Sequence, residues 1–320
     1  MKKDILTLMD LTRQEILDII NLTLQIKKLG RKKLHLLDGK ILALLFEKPS
    51  TRTRVSFEVA MKDLGGDTLY MGKDQTQLSR GETIEDTARV LSRYVDAIVA
   101  RVYKHESLEL LARFSSIPII NGLSDKFHPV QALSDLVTIR EKLGKLKGVK
   151  VAYVGDGNNV CNSLLIACTK VGINISVACP KEFSPPEDVI KAARDFSKSS
   201  GSVMEILEDP YDAVKGADVV YTDTFVSMGM EEERERRLKV FLPKYQVNQK
   251  LMEATGKFSF FMHCLPAHRG EEVTDEVLDG KWSIVWDQAE NRLHTQKAIL
   301  LKIFKTEESF KRLITESINQ

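Results

Sequence analysis

The stretch ILALLFEKPSTRTRVSFEVA, residues 41–60, joins an apolar run to a dense group of polar side chains. The run ILALLF predicts a buried β-strand, and apolar residues return at helical spacing at Val55 and Val59. Residues 50–54, between these two segments, are a serine, two threonines and two arginines. The sequence therefore predicts a strand, a short turn, and a helix whose first residues carry many hydrogen-bond donors.

Such a helix start is a candidate anion site. The first N–H groups of a helix lack partners within the helix, and its dipole adds positive potential there. Ser50, Thr51 and Thr53 add hydroxyl donors, and Arg52 and Arg54 add planar guanidinium groups that suit phosphate. A well-capped helix with solvated arginines is the alternative. The position after a buried strand favours the anion site, because open α/β sheets bind ligands beyond the carboxyl ends of their strands.

Short apolar runs alternate with helical patterns along the whole chain, which predicts an α/β fold with parallel sheets. A capping box, Thr12 with Glu15, begins the first predicted helix, and PVQALSDLVTIREKL (residues 129–143) predicts a long helix before the GKLKG segment. We expect two α/β halves, with a last helix from about Arg292 to Phe304. The predicted strands are residues 41–46, 68–71, 97–100, 117–120, 149–154, 173–178, 204–207, 219–222, 258–262 and 284–286.

Composition excludes several classes of protein. The chain has 320 residues, 43% hydrophobic and 29% charged, and its 47 basic and 45 acidic residues leave a net charge of +2. This balance does not favour a nucleic-acid-binding protein, and no apolar run reaches the roughly 20 residues of a membrane span. The N-terminal residues lack the pattern of a signal peptide. The four cysteines have no CxxC spacing, which predicts reduced thiols and a cytoplasmic protein.

Other polar residues follow predicted strands in the first half. Arg101 follows DAIVA, and FHPVQAL places His128 and Gln131 at the start of the long helix. A lone histidine at a helix start is often only a cap. Beside Arg52 and Arg101, however, His128 and Gln131 could polarise a carbonyl group next to a bound phosphate.

The second half carries a motif that superficially resembles a dinucleotide loop. VAYVGDGNNV places Asp156, Asn158 and Asn159 after a strand, but Val160 stands where a third glycine would be needed. The next strand ends at SVACPKEF, without an acidic residue to hold a ribose. A nicotinamide-dependent dehydrogenase is therefore disfavoured.

Three further strand or helix ends carry reactive groups. Asp223 ends a strand four residues before Ser227, His263 and Cys264 end another strand, and Arg292 stands at the predicted start of the last helix. A lone cysteine is usually inert, but a strand-end aspartate and an opposing arginine cluster favour a functional thiol. The pattern suits group transfer from a phosphorylated donor to a small polar acceptor.

The motifs STRTR, HPVQAL, GDGNNV, TDTFVSMG and HCLP occur in one order and spacing. In this the sequence resembles the ornithine carbamoyltransferase family over essentially the whole chain. The resemblance implies two α/β domains joined by two interdomain helices: residues 1–146 for carbamoyl phosphate and residues 147–291 for ornithine. The helix at about 292–320 would pack back onto the first domain. It also implies citrulline and phosphate as products, more often in arginine biosynthesis than in catabolism.

The same resemblance assigns individual residues. Arg52, His128, Asp223 and Cys264 would be catalytic, and Asn159, Asp223, Ser227 and Met228 would bind ornithine. Gln77 would reach a phosphate in a neighbouring subunit, because the family forms homotrimers or multiples of trimers. No metal, organic cofactor, nucleic acid or membrane is expected. The implied carbamoyl-phosphate contacts are Ser50, Thr51, Arg52, Thr53, Gln77, Arg101, His128, Gln131, Cys264, Leu265 and Arg292.

Two alternatives remain open at this point. One is another transcarbamylase that uses aspartate, putrescine or an acylated ornithine as acceptor. The other is a non-catalytic sensor of phosphorylated metabolites on the same fold. A sensor would lack Cys264, His128 or one of the arginines, all of which are present here.

Overall fold

Two parallel β-sheets organise the chain, one of four strands and one of five. The computed structural model describes residues 3–30, 32–227 and 229–318, with side chains described as far as residue 313. The chain divides into a first unit, Met1–Val137 with Asn291–Gln320, and a second unit, Thr138–Glu290. The α/β class and the parallel sheets predicted from the sequence are confirmed.

The sheet of the first unit has the strand order β2-β1-β3-β4, with all neighbours parallel. The central strand β1 is the ILALLF run, and it is buried almost throughout because helices cover both faces of a parallel sheet. The strands are β1 Ile41–Phe46, β2 Asp67–Gly72, β3 Ala97–Arg101 and β4 Ile119–Leu123. The helices are α1 Arg13–Lys28, α2 Thr51–Leu64, α3 Ile84–Leu91 and α4 His105–Phe114, with α5 Pro129–Leu143 beginning in this unit.

The sheet of the second unit has the order β7-β6-β5-β8-β9, again all parallel. Its strands are β5 Lys150–Val154, β6 Asn174–Ala178, β7 Met204–Leu207, β8 Val219–Thr222 and β9 Phe260–His263. Its helices are α6 Asn159–Val171, α7 Glu187–Ser200, α8 Pro210–Val214, α9 Arg234–Phe241, α10 Gln249–Glu253 and α11 Asp275–Leu278. Two further helices complete the chain, α12 Val285–Ile303 and α13 Glu307–Ile318. The chain passes between the units within α5 and within α12.

Local signals explain the ends of several elements. The predicted capping box is present at α1, where the Thr12 hydroxyl accepts the N–H of Glu15 and the Glu15 carboxylate accepts the N–H of Thr12. Strand β4 begins two residues later than predicted, because Pro118 has no N–H to donate to the sheet. Its carbonyl still accepts the N–H of Ile98 at 3.0 Å.

The strand predicted at residues 284–286 is wrong. Ser283 makes a single parallel bridge to Phe261, and α12 already begins at Val285. The N–H of Gln288 donates to the carbonyl of Ile284 at 2.9 Å, so this apolar segment forms the first turn of the helix. Three apolar residues cannot by themselves distinguish a short strand from a buried helix start. Among the described residues, none of the helices is long and apolar enough to cross a bilayer.

Candidate active site

The start of α2 is placed beside the end of a neighbouring strand. Phe46, the last residue of β1, pairs in register with Arg101, the last residue of β3. The Ser50 hydroxyl accepts the N–H of Thr53 at 3.2 Å and caps α2. Thr51 and Arg52 are exposed at this helix start. The parallel pairing therefore brings an arginine to the carboxyl edge of the sheet where α2 begins, an arrangement that suits an anion.

Arg54 does not belong to this group, contrary to the expectation that both arginines of the motif would face an anion. Its Nε donates to Glu58 at 2.9 Å, and its guanidinium lies 3.7 Å from the centre of the Tyr70 ring. Arg52 and Arg54 are two positions apart, so they point to different sides of α2. The ion pair with Glu58, one turn along the helix, explains the orientation of Arg54.

A buried polar cluster in the first unit joins residues far apart in sequence. The prediction that Arg292 begins the last helix is wrong, because α12 already begins at Val285 and another helix follows it. Arg292 donates to the side-chain carbonyl of Gln131 and to the Thr53 hydroxyl, the latter at 3.2 Å. The Gln131 amide donates to Asp135 at 2.9 Å, which fixes the direction of its carbonyl. All four of these residues are buried. The predicted residues Thr53, Gln131 and Arg292 therefore come together.

His128 lies at the start of α5 and is almost completely buried. Burial, together with the positive charges of Arg292 and Arg101, holds the pKa of His128 well below 6.5. The imidazole is therefore neutral at pH 7 and keeps one N–H that can donate a hydrogen bond. A neutral donor beside two guanidinium groups can polarise a carbonyl without losing a proton.

Gln77 lies on an exposed 3₁₀ turn after β2. Within the part of the chain that the structure describes, its side chain makes no hydrogen bond to the buried cluster, so its role stays a prediction. A cavity of about 210 Å³ opens near this turn, lined by Phe46, Lys73 and Tyr103 among others. A lysine and an aromatic ring therefore line a cavity at the carboxyl edge of the first sheet.

In the second unit, the Asp223 carboxylate is held on both oxygens. It directly follows β8 and is only 6% exposed. Its Oδ2 accepts the side-chain N–H of Asn158 at 2.8 Å, and its Oδ1 lies 3.1 Å from Cys264 Sγ, which donates to it. The predicted pair Asp223 and Cys264 is therefore in direct contact.

His263 and Glu272 fix the turn that carries Cys264 and Leu265. The Leu265 N–H donates to His263 Nδ1 at 2.9 Å, so the ring proton must sit on Nε2. That nitrogen lies 3.1 Å from Glu272 Oε1, and both side chains are fully buried. Leu265 has a φ of 59°, a left-handed conformation that non-glycine residues rarely adopt. The buried histidine and carboxylate hold the backbone in this shape.

The loop after Asp223 is tied to its surroundings by Arg237 of α9. Arg237 donates to the carbonyl of Phe225 at 2.6 Å and to the Asp156 carboxylate. Burial raises the pKa of Asp156 to about 7, although the charge of Arg237 opposes this. Ser227 is half-buried, and its carbonyl accepts the N–H of Met230 at 3.0 Å. Met228, predicted to bind ornithine, lies outside the described residues.

The glycines of GDGNN serve local packing. Gly155 has a φ of 137°, and a Cβ on Gly157 would lie 2.4 Å from the Pro185 nitrogen. Asn158 caps α6 by accepting the N–H groups of Val160 and Cys161. These contacts explain the glycine pattern without a dinucleotide.

Sequence reasoning missed three supporting groups. The side chain of Asn158 donates to Asp223, and its neighbour Asn159 is the first residue of α6. Glu272 and Arg237 act on the site through other residues, so no motif identified them. A sequence signal existed only for Asn158, because an asparagine directly before a helix is a typical cap.

Two side-chain groups in the described residues have the composition and spacing of metal ligands. One is Asp223, His263 and Cys264, and the other is His268, Glu271 and Glu272. In each group the ligand atoms lie within 4.8 Å of one another. The first group overlaps the Asp223–Cys264 pair described above, and the second does not.

Comparison with family models covers nearly the whole chain. Residues 3–141 match the model described as aspartate/ornithine carbamoyltransferase, carbamoyl-P binding domain. Residues 147–303 match the Asp/Orn binding domain of the same description.

Known proteins with similar sequences carry a consistent name. The ornithine carbamoyltransferase of Hyperthermus butylicus is 55% identical over 305 residues, which cover 94% of this chain and 97% of that protein. An ornithine carbamoyltransferase of Pyrococcus furiosus, named anabolic, is 58% identical over 301 residues, covering 93% and 95%. The solved structure of ornithine carbamoyltransferase from Pyrococcus furiosus has a TM-score of 0.90 at 57% identity, covering 94% of this chain and 96% of that chain. The anabolic enzyme of Campylobacter jejuni has a TM-score of 0.89 at 42% identity, covering 95% and 99%.

Proposed function

The chain belongs to the aspartate/ornithine carbamoyltransferase family, and on this premise we propose that it transfers the carbamoyl group of carbamoyl phosphate to the δ-amine of L-ornithine. The products are L-citrulline and phosphate. Biosynthesis of arginine is the favoured direction, since the relative from Pyrococcus furiosus is named anabolic.

One observation favours ornithine as the acceptor: the buried Asp223 carboxylate in contact with the Cys264 thiol. A carboxylate attracts an amine that carries or donates a proton, and it repels the second carboxylate of aspartate. Asn159, Ser227 and Met228 are proposed to hold the α-amino and α-carboxylate groups, and putrescine lacks the carboxylate. This set therefore suits a free diamino acid.

Carbamoyl phosphate is proposed to bind at the start of α2 and around the buried cluster. The helix start and the guanidinium groups would hold the phosphate, while neutral His128 would donate to the carbamoyl oxygen. The Cys264–Leu265 backbone would contact the carbamoyl group, and Gln77 would come from a neighbouring subunit. The proposed contacts are Ser50, Thr51, Arg52, Thr53, Gln77, Arg101, His128, Gln131, Cys264, Leu265 and Arg292.

The two substrates are proposed to bind to different halves of the chain. We propose residues 1–146, with the C-terminal segment at about 292–320, as the carbamoyl-phosphate domain and residues 147–291 as the ornithine domain. This proposal is supported by the family models, of which the carbamoyl-P binding domain matches residues 3–141 and the Asp/Orn binding domain matches residues 147–303.

The chemistry requires the attacking amine to lose a proton. An alkyl amine has a pKa of about 10.4, so fewer than about one in a thousand molecules is neutral at pH 7. Asp223 orients the amine, and the Cys264 thiol, hydrogen-bonded to Asp223 at 3.1 Å, offers a route for the proton. The δ-nitrogen then bonds to the carbonyl carbon, and the bond from that carbon to the phosphate oxygen breaks. Phosphate leaves with the electron pair and accepts the further proton that the nitrogen loses as it becomes the ureido nitrogen of citrulline.

The carbonyl oxygen becomes more negative as the amine attacks. Donors already aimed at that oxygen stabilise the transition state without reorganising. Arg52, Thr53, His128 and Arg292 are the proposed donors. The bonds of Arg292 to Thr53 and Gln131 hold its guanidinium in place before substrate arrives. In this proposal the reaction uses no metal or organic cofactor.

We also propose a homotrimer, or a multiple of trimers, as the active assembly and the cytoplasm as its location. The proposed origin of Gln77 in a neighbouring subunit requires such an assembly. The cytoplasmic location is in keeping with the four cysteines, none of which is in a disulfide.

Citrulline formation from carbamoyl phosphate tests the function, with ornithine, N-acetylornithine, putrescine and aspartate compared as acceptors. We expect a strong preference for ornithine. Activity with another acceptor would preserve the carbamoyl-phosphate assignments but refute Asp223 as a reader of ornithine. Folded protein without activity toward any acceptor would favour the sensor.

A further inference from the structure

We propose that His268, Glu271 and Glu272 bind one divalent transition-metal ion. The three side chains follow β9 in the turn that leads toward α11, and one ligand atom from each lies within 4.8 Å of the others. None of them is among the residues proposed to touch either substrate. The site is therefore separate from the transfer reaction.

The two carboxylates share an arrangement typical of metal ligands. Glu271 Oε1 accepts from the Arg234 guanidinium, and Glu272 Oε1 accepts from His263 and from the His268 N–H at 2.6 Å. In both residues the other oxygen, Oε2, is buried and has no hydrogen-bond partner among the described residues. Ligating carboxylates are commonly held in this way, with donors on one oxygen and the metal on the other.

The two Oε2 atoms that lack hydrogen-bond partners in the described part of the chain are buried, so they also lack contact with solvent. Glu272 is 0% exposed, so its Oε2 cannot be satisfied by bulk water. A buried acceptor without a partner is costly, and a bound cation would remove that cost. Arg234 donates to Oε1 of Glu271, and no described residue donates a hydrogen bond to Oε2 of Glu272.

His268 supplies the nitrogen ligand. Its Nδ1 lies 3.7 Å from Glu272 Oε2 and 3.0 Å from the Thr224 hydroxyl. A metal ion on Nδ1 would replace this hydroxyl contact. The side chain is 42% exposed, which leaves a path for an ion to enter.

The ligand types select the class of metal. One imidazole nitrogen with two carboxylate oxygens suits Zn²⁺, Co²⁺ or Mn²⁺, whereas Ca²⁺ and Mg²⁺ prefer oxygen ligands alone. Three protein ligands leave a position for water. Because the ion would link residues on both sides of one turn, binding should stabilise the folded protein.

The test measures Zn²⁺ and Co²⁺ binding to the full-length, metal-stripped protein by calorimetry and by equilibrium dialysis. Each variant is made both in the wild-type protein and in a Cys264→Ser background. The Cys264→Ser substitution removes the sulfur ligand of the other candidate metal group, Asp223, His263 and Cys264. We expect one ion per chain in both backgrounds and a Co²⁺ complex without thiolate-to-metal charge-transfer absorption. A higher melting temperature should accompany binding.

Two substitutions and one control locate the ion. His268→Ala and Glu271→Gln should each weaken binding by more than about tenfold. Glu276→Gln, an exposed acidic residue close in sequence, should leave binding unchanged. Glu271 is only partly buried, so Glu271→Gln keeps the test valid if His268→Ala folds poorly. The proposal is overturned by no binding, by binding unchanged in both variants, or by binding that disappears with Cys264→Ser.

Discussion

Replacing Arg292 with lysine tests whether its planar, two-pronged head organises the carbamoyl site. The buried guanidinium of Arg292 donates to Gln131 Oε1 with one nitrogen and to Thr53 Oγ1, at 3.2 Å, with another. Lysine keeps the charge but offers a single nitrogen, so it cannot hold both partners in the same geometry.

The size of the effect follows from the burial of Gln131. This residue is only 1% exposed, and its amide nitrogen is committed to Asp135 at 2.9 Å, so its carbonyl cannot turn to another donor. A lysine therefore cannot regain the geometry in which the guanidinium is proposed to donate to the carbonyl oxygen of the substrate. Losing a hydrogen bond from a charged donor costs the transition state about 1.5–3 kcal/mol. At about 1.4 kcal/mol per tenfold change, Arg292→Lys should lower kcat/KM for carbamoyl phosphate by about 10- to 150-fold.

Initial rates of citrulline formation measure this loss, and circular dichroism checks that the variant is folded. Arg54→Lys is the matched control, because Arg54 also has two partners but lies outside the cluster, on Glu58 and Tyr70. Because the ion pair of Arg54 is exposed and screened by solvent, the control should lose little or no activity. The reasoning is refuted if Arg292→Lys loses no more activity than Arg54→Lys.

Three further substitutions test one residue of the proposed site and two buried ionic contacts outside it. Glu272→Ala should lower kcat/KM for both substrates by about tenfold or more, because the buried His263 Nε2–H loses its acceptor; unchanged steady-state kinetics would contradict this. Lys297→Met should destabilise the fold by about 3–5 kcal/mol in urea unfolding, because its buried ion pair with Asp63 at 2.7 Å is broken; a cost under 1 kcal/mol would argue otherwise. Since the folded-state pKa of His128 lies well below 6.5, the unfolded chain takes up a proton there that the folded chain refuses, and stability falls as the pH drops below 6.5. His128→Gln should make that fall shallower in unfolding measured across pH, and an identical pH profile would count against a neutral buried imidazole.

Local patterns predicted much of the fold. The apolar run of β1, the capping box of α1 and the alternation of strands with helices are properties of neighbouring residues, so the sequence contains them directly. The predicted strand at residues 284–286 failed because the three-residue run is too short to carry a period, and α12 forms there instead. The start of β4 was predicted two residues too early. Pro118 has no N–H to donate to a neighbouring strand, and this matters only once that strand is in place.

Site residues that directly follow strands could be predicted from the sequence. Residues that only position another side chain could not, because their contacts depend on the folded chain. Asp223 and Cys264 each follow a strand, and adjacent parallel strands bring such positions together. Arg54 shares the motif of Arg52, yet its pairing with Glu58 could be known only from its direction on α2. Glu272 could not be predicted, because its contact with His263 depends on how the chain turns after β9.

The kinetic effect of Asp223→Asn tests most directly whether this carboxylate reads the side-chain amine of ornithine. Asparagine keeps the size of the side chain and removes the charge that Asn158 and Cys264 contact. We predict that kcat/KM for ornithine falls about 100-fold, since truncating or neutralising one member of a buried charged contact costs at least about 2–3 kcal/mol. The KM for carbamoyl phosphate should stay within about twofold, because an interaction with one substrate need not affect binding of the other. An equal rise in the KM of both substrates, or an unchanged kcat/KM for ornithine, would contradict the assignment of Asp223 as the acceptor-binding carboxylate.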